Sequence, residues 1–181
     1  KIATRIGLAL ITGLIVGYLE EWLFRGVIFG AMREAIGVWS GAVLASLLFA
    51  AIHFAKPDAP FSTVKAGWDS AFRLMPYCYT WQDFYWPYEG YKIYLLFFMG
   101  LTMCFLYARY GSVYLCIGLH AGWVWAMRAG DFLFDERVTD IYPRLFGPTP
   151  GVVKSGVALI VSVVFCVASM VLYVRRPVQN S

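Results

Sequence analysis

Three ionisable residues, Glu20, Glu21 and Arg25, lie inside the first long apolar run of the chain. On either side, Ile6–Leu19 and Gly26–Met32 contain no charged residue. An apolar run of roughly 20 residues is long enough to cross a bilayer as a helix. Ionisable groups at that depth are costly, and they persist mainly where they face a protein interior and serve a function. This run therefore predicts a membrane helix that carries a functional site.

Helical spacing assigns different directions to the two carboxylates. Glu21 and Arg25 are four residues apart, so they share one helix face and are predicted to form an ion pair. Glu20 is turned by about 100° from Glu21 around the helix axis. The spacing predicts that Glu21 has a structural role and that Glu20 is available for chemistry.

The composition places the whole chain in a membrane. Of its 181 residues, 60% are hydrophobic and only 14% are charged, whereas soluble domains are about 45–50% apolar and about 25% charged. We predict one all-α domain over residues 1–181, a polytopic transmembrane helical bundle surrounded by lipid. The net charge of +4 comes without a basic face or a nucleic-acid-binding motif, so nucleic acid is excluded as a partner.

Five apolar runs predict five membrane helices: Ile6–Met32, Gly37–Ala55, Ile93–Ala108, Val113–Met127 and Gly156–Val174. Residues 56–90 predict an amphipathic helix on the membrane surface, followed by a segment rich in tyrosine and tryptophan. That segment is either an interfacial belt or a lid over a site, and both interpretations stay open. Residues 128–152 predict a polar loop.

The flanking charges predict an orientation. Arg33, Arg109 and the pair Arg175–Arg176 fall on one side of the predicted bundle. Positive charge in short flanks favours the cytoplasm, which predicts a cytoplasmic C-terminus. We expect the protein in the bacterial inner membrane.

The four cysteines predict neither a metal site nor a cofactor site. Cys104, Cys116 and Cys166 fall in apolar runs, Cys78 lies in the connection, and no two of them form a CxxC pair. Cysteines in such positions are typically small buried apolar residues. The sequence predicts no cofactor.

The chain has only two histidines, and both lie in predicted membrane helices, His53 at the end of the second and His120 in the fourth. We predict that both converge with Glu20 and Glu21 on one buried site; the alternative is three separately satisfied polar groups. A carboxylate and an imidazole in a shielded cavity can activate water and stabilise an oxyanion. No nucleophile elbow and no HExxH motif is present. A metal site formed by glutamate and histidine is the less favoured alternative, because the predicted Glu21–Arg25 pair leaves only one carboxylate available as a ligand.

Three motifs carry a resemblance to a known family: Glu20-Glu21-x-x-x-Arg25, Phe49-x-x-x-His53, and His120 in its own helix. Their order and separation resemble the CPBP family (CAAX protease and bacteriocin-processing, or Abi), whose members are glutamate-dependent intramembrane endopeptidases. The resemblance implies an all-helical bundle with its site sunk inside the bilayer. It also implies further family helices, which we expect before Lys1.

By this resemblance, Glu20 is the general base and His53 helps to position and activate water. Glu21 and Arg25 form a supporting ion pair, and Phe49 packs against His53. Water then attacks the peptide carbonyl directly, without an acyl-enzyme.

The third motif departs from the family pattern. The resemblance implies that His120 stabilises the oxyanion, aided by an Asn or Asp four residues later. Here that residue is Val124. Loss of one oxyanion donor typically costs about 2.7–4 kcal/mol. Two functions therefore stay open: a protease that cleaves a membrane-anchored peptide or protein, and a catalytically impaired subunit or assembly factor that binds other membrane subunits.

Overall fold

The computed structural model describes residues 2–53, 88–133 and 156–175. The predicted surface helix, the aromatic segment before Tyr88, Cys78, Arg176 and the polar loop from residue 134 to 152 lie outside these residues. The described residues contain seven helical elements and no strand, which confirms the all-α prediction. In chain order they are α1 (Ile2–Glu21), a π-helical stretch (Trp22–Phe29), α2 (Gly30–Ile36), α3 (Val38–Ile52), α4 (Tyr88–Tyr110), α5 (Val113–Leu133) and α6 (Gly156–Val174).

Helices occur at all five predicted positions. Among the described residues, three helices are long and apolar enough to cross a membrane, at Thr4–Ile36, Lys92–Tyr110 and Val157–Val174. Val38–Ile52 is a shorter apolar helix. Helix α5, which carries His120, is longer than Val38–Ile52. It is not one of the three helices that are long and apolar enough to cross a membrane. The protein is therefore an integral membrane protein with a helical bundle.

The helix ends differ from the predicted span ends. Helix α4 begins at Tyr88, so the last residues of the predicted 56–90 connection are helical. Helix α5 continues to Leu133, six residues past the predicted end of its span, so the first residues of the predicted loop are helical too. The physical reason is that hydropathy reports where a chain leaves the hydrocarbon layer, whereas a helix can continue into the headgroup region.

The helices pack as a pair and a trio. Helix α1 packs along α5, while α4 lies between α3 and α6. The π-helical stretch contacts α3, α4 and α5, so it joins the pair to the trio. Phe24 of this stretch is buried in one apolar cluster with residues of α3, α4 and α5, and Phe29 is buried in a second cluster with residues of α3, α4 and α6.

Two glycines bring α1 and α5 into direct backbone contact. A Cβ atom on Gly13 would lie 2.8 Å from the carbonyl oxygen of Ala121, and one on Gly17 would lie 3.2 Å from that of Ile117. A small residue at every fourth position is a common way for membrane helices to approach closely. Glu21 comes one turn after Gly17, so the close contact delivers it to the face of α5 that carries His120.

We expect Gly13→Leu to lower the free energy of unfolding by about 1–3 kcal/mol, because the new side chain overpacks a backbone contact. Thermal unfolding in detergent micelles measures the change. The matched control is Gly7→Leu on the same helix, since a Cβ atom there meets nothing within 4 Å. Equal losses in the two variants would contradict a specific contact at Gly13.

The π-helical stretch keeps one face of the first helical run turned towards the bundle. From α1 through the π-helical stretch, a buried residue occurs at every fourth position: Ala9, Gly13, Gly17, Glu21, Arg25 and Phe29. In an α-helix such a stripe rotates by about 40° per step and leaves the interface. The i→i+5 bonding of a π-helix places more residues in each turn, so each residue rotates less. Arg25 and Phe29 therefore stay on the side that faces the other helices.

Candidate active site

A buried network joins the first helical run to α5. The Nε atom of Arg25 lies 3.0 Å from Oε2 of Glu21, and Nδ1 of His120 lies 2.7 Å from Oε1 of the same carboxylate. The three side chains are at most 3% exposed. The Arg25 contact is an ion pair that lies off the hydrogen-bond direction, whereas His120 makes a hydrogen bond. Glu21 therefore binds a guanidinium with one oxygen and a histidine ring with the other.

Arg25 is held by two further helices. Its Nη2 atom donates to the carbonyl oxygen of Gly100 on α4, at 3.3 Å. Its guanidinium carbon lies 4.7 Å from the ring centroid of Phe49 on α3, within the range of a cation–π interaction. The cation thus links α3, α4 and the π-helical stretch.

Glu20 lies in the wall of a cavity, next to the His120 ring of this network. Its Oε2 atom lies 3.6 Å from Nε2 of His53 and 3.8 Å from Nε2 of His120. The side chain is 28% exposed, in contrast to the fully buried Glu21. Both distances exceed that of a direct hydrogen bond, and Oε2 has no hydrogen-bond partner among the described residues. The Oε2 atom is buried, so the exposed part of Glu20 lies in its other side-chain atoms, in the wall of the cavity.

The end of α3 fixes His53. This residue caps the helix at its C-terminus, and its Nδ1 atom lies 2.8 Å from the carbonyl oxygen of Phe49, one turn earlier. A carbonyl only accepts, so Nδ1 carries the proton and donates. The His53 ring also packs on the Phe49 ring, with centroids 4.6 Å apart, and Phe49 packs edge-on against Phe24 at 5.1 Å. Backbone and ring contacts together direct Nε2 of His53 towards Glu20.

The cavity has a volume of about 660 Å³ and is lined mostly by apolar side chains. Glu20, His53 and His120 lie in its wall, and Val124 follows His120 by one turn of α5. The lining also includes three cations, Arg5, Lys92 and Arg128. Arg128 is eight residues from His120, or about 12 Å along the helix. The cavity therefore combines one carboxylate and two imidazoles with an apolar wall and three cationic side chains.

The structure brings Glu20, His53, His120 and Val124 to one cavity, with Phe49 in its wall. The hydrogen bond between His120 and Glu21 was not predicted, because that contact depends on how α1 and α5 pack. The spacing Gly13-x-x-x-Gly17 is a sequence signal that could have indicated this packing. No such sequence signal indicates that the Gly100 carbonyl accepts a hydrogen bond from Arg25. Across the described residues, no group of three or more histidine, cysteine, aspartate or glutamate side chains is placed to hold a metal ion.

Comparison with protein families matches residues 2–126 to the family described as type II CAAX prenyl endopeptidase, Rce1-like. This match covers more than half of the chain and contains both glutamates, both histidines, Arg25, Phe49 and Val124. The chain belongs to the Rce1-like family. Comparisons with curated proteins and with solved structures give no match. The Rce1-like match ends within α5, shortly after Val124, so α6 lies outside it.

Proposed function

We propose that this Rce1-like protein is an intramembrane endopeptidase in which Glu20 is the general base. The observation that carries the proposal is the position of Glu20 Oε2, which faces Nε2 of both histidines in a cavity. Family membership supports a protease of the CAAX prenyl endopeptidase type. The roles of the individual residues are our assignment.

In the proposed reaction, a water molecule donates one hydrogen bond to Glu20 and one to Nε2 of His53, which has a free lone pair because Nδ1 carries the proton. The water oxygen bonds to the peptide carbonyl carbon as Glu20 takes its proton, and the carbonyl electron pair moves to oxygen. His120 stabilises that oxyanion. The carbon–nitrogen bond then breaks, and the protonated Glu20 returns the proton to the leaving amine.

The substrate class follows from where the cavity lies. Its wall is formed by membrane helices and is mostly apolar, so a membrane-anchored peptide or protein is the proposed substrate. The described residues of the cavity wall show no feature that would select a particular lipid modification on the substrate. A bacteriocin-like peptide is an alternative substrate that fits this wall equally well. Location in the bacterial inner membrane stays a prediction from the sequence.

The proposal is tested with purified protein in lipid vesicles and a library of membrane-anchored peptides, with products identified by mass spectrometry. We expect His53→Ala to lower kcat by about 100-fold or more, because it removes one of the two groups that orient the water. The control is Ile52→Ala, an exposed neighbour outside the cavity lining. Full activity of a folded His53→Ala variant would contradict the assignment.

Val124 provides a gain-of-function prediction. An asparagine there would lie one turn after His120 and add a donor on the same helix face. A hydrogen bond to a charged group contributes about 1.5–3 kcal/mol, so we expect Val124→Asn to raise kcat by roughly ten- to a hundredfold. Steady-state kinetics on the cleaved peptide measures the change. Val124→Leu is the control of similar size without a carboxamide, and an equal gain there would contradict the explanation.

Val124 also supports a second candidate, a catalytically impaired subunit or assembly factor of a membrane complex. The two candidates differ in what purifies with the protein. A stable complex with stoichiometric partners and no cleavage of any peptide supports the second. Cleavage by the isolated chain, lost in the His53→Ala variant, supports the endopeptidase.

A further inference from the structure

A second groove lies on the outer surface of the bundle, between α4, α5 and α6. It has a volume of about 570 Å³, and its described lining shares no residue with the cavity of the candidate active site. Helix α4 forms the floor, because it contacts both α5 and α6. Among the described residues, α5 and α6 do not pack along each other. The groove is therefore open between these two helices.

The groove opens towards one surface of the membrane. Ala158, near the start of α6, packs against the apolar cluster that contains Leu95, near the start of α4. Near the other ends of the two helices, the rings of Tyr173 and Phe105 pack with centroids 5.7 Å apart. Helices α4 and α6 therefore run in the same direction, and their apolar spans end on the same side of the bundle.

The groove is about as deep as one leaflet of a bilayer. Its outer end includes Tyr110, the last residue of the apolar span of α4. At its inner end, the rings of Trp123 on α5 and Phe165 on α6 meet with centroids 5.9 Å apart. Phe165 is nine residues before Val174, the end of α6, or about 14 Å along the helix. The hydrocarbon layer is about 30 Å thick, so the groove reaches approximately to its middle.

The inner wall of the groove is apolar. Its serine and threonine hydroxyls are already used within their own helices, since Thr102 donates to the carbonyl of Phe98 and Ser169 to that of Cys166, both at 2.8 Å. The rest of this inner wall consists of leucine, phenylalanine, alanine and glycine. Such a surface gains dispersion contacts from hydrocarbon and offers no donor to a polar ligand.

Tyrosines and arginines surround the outer end. Tyr110 and Tyr114 line the groove there and are 51% and 81% exposed. The guanidinium carbon of Arg109 lies 5.2 Å from the Tyr110 ring centroid. Arg175 follows the lining residue Leu172 by three positions and continues the helical bonding of α6, so the two share a face. Tyrosine is typical of the headgroup layer, and arginine there attracts anionic lipid.

The charge at this end of the groove is positive. No aspartate or glutamate occurs in its described lining. The described carboxylate at this end of the bundle is Glu34, on α2, which packs against α3 and the π-helical stretch and not against the helices of the groove. The groove thus pairs an apolar interior with a cationic rim, as the chains and the phosphate of a lipid require.

The width of the groove distinguishes a lipid from a further helix. Its volume, spread over the roughly 12 Å of α4 from Thr102 to Tyr110, gives a cross-section of about 50 Å². A helix with its side chains is about 10–12 Å wide and so needs a cross-section of roughly 80 Å² or more. A helix is therefore too wide to enter the groove, whereas extended hydrocarbon chains are narrow enough.

We propose that this groove binds one anionic phospholipid, with its acyl chains between α5 and α6 and its phosphate at Arg109 and Arg175. Guanidinium groups suit a phosphate because they donate two parallel hydrogen bonds to its oxygens. The groove is separate from the cavity that contains Glu20, so this site does not depend on the proposed endopeptidase activity.

The test uses the full chain in phosphatidylcholine vesicles that contain a small fraction of a photoreactive lipid, either phosphatidylglycerol or phosphatidylcholine with a diazirine on one acyl chain. Mass spectrometry maps the labelled residues. We expect phosphatidylglycerol to label Leu119 and Leu172 at least about fivefold more than phosphatidylcholine does, the factor that one arginine near an anionic lipid supplies. The reference is Ile15, an exposed apolar residue of α1 outside both lining sets. The same ratio at Ile15 and in the groove means non-selective lipid contact only and overturns the proposal.

The headgroup assignment is tested by Arg109→Gln combined with Arg175→Gln. We expect the preference for phosphatidylglycerol in the groove to fall to the ratio measured at Ile15. The matched control is Arg33→Gln, since Arg33 lies at the same end of the bundle but over the Tyr107 ring and outside the groove lining. A preference that persists in the double variant, or that Arg33→Gln removes equally well, overturns the assignment.

Gly118→Trp tests the place of the acyl chains. Gly118 lines the groove, and a Cβ atom there meets nothing within 4 Å, so the new ring enters open space. We expect it to lower the labelling of Leu119 and Leu172 by both probes at least about fivefold. Gly122→Trp is the control, because Gly122 is equally open, lies one turn later on α5 and is outside the lining. Equal labelling in the two variants contradicts the position of the chains.

A second copy of this chain is the competing occupant. Light scattering in micelles measures the mass of the wild type and of the Gly118→Trp variant, and we expect both to have the same mass. A wild-type dimer that becomes a monomer in Gly118→Trp would identify the groove as a protein interface and overturn the lipid assignment. The comparison of the two probes on the wild type decides the proposal even if Gly118→Trp does not fold.

Discussion

Glu20→Gln is expected to lower kcat by at least about 100-fold while the protein stays folded. The amide keeps the shape of the side chain but cannot take a proton from water, and general base catalysis typically contributes 100- to 10,000-fold. The fold is expected to tolerate the change, because the Glu20 side chain is 28% exposed and the amide has nearly the same size and shape.

The measurement is the initial rate on whichever membrane-anchored peptide the wild type cleaves, together with thermal unfolding. Glu34→Gln is the matched control, since Glu34 is an exposed glutamate on α2, outside the cavity lining. The assignment of Glu20 would be wrong if Glu20→Gln and Glu34→Gln cleaved the peptide equally fast.

Arg25→Leu is expected to lower the free energy of unfolding by about 3–5 kcal/mol, the usual effect of removing one partner from a buried ion pair. The variant leaves the fully buried Glu21 carboxylate without its cation and loses the bond to Gly100 and the contact with the Phe49 ring. Thermal unfolding in micelles measures this loss.

Two further variants test whether that loss of stability comes from the unpaired buried charge. Arg109→Leu removes a partly exposed arginine near the end of α4 that lies over the Tyr110 ring, and it is expected to cost no more than about 1 kcal/mol. Glu21→Leu combined with Arg25→Leu leaves no unpaired charge and is expected to be more stable than Arg25→Leu alone. A double variant less stable than the single one would contradict the interpretation of the pair as mutually compensating.

Much of the helical pattern could be predicted from sequence, because long apolar runs have few alternatives to a helix in a membrane. The contact between Glu21 and Arg25 could also be anticipated, since it is local and follows from a spacing of four residues. The π-helical stretch could not, because nothing in Trp22–Phe29 distinguishes a π-helix from an α-helix at the level of sequence. Its cause is tertiary: the stretch lets Arg25 and Phe29 face three other helices.

The convergence of the site side chains on one cavity could be predicted, but the contacts between them could not. Two histidines in separate apolar helices, together with a pair of glutamates, indicated convergence. That His120 binds Glu21 through Nδ1, and that both Nε2 atoms face Glu20, depends on the depth at which α1 and α5 meet. Side-chain direction at such a contact is set by the packing of both helices, which a single sequence does not contain.

The helical run Thr4–Ile36 has 33 residues, or about 50 Å at 1.5 Å per residue. The hydrocarbon layer is only about 30 Å thick, and a helix longer than that layer tilts or kinks to fit. This run carries both glutamates and also packs along α5 at Gly13. Because the same helix sets the distances between Glu20 and the histidines, we expect the thickness of the host bilayer to influence the geometry of the site.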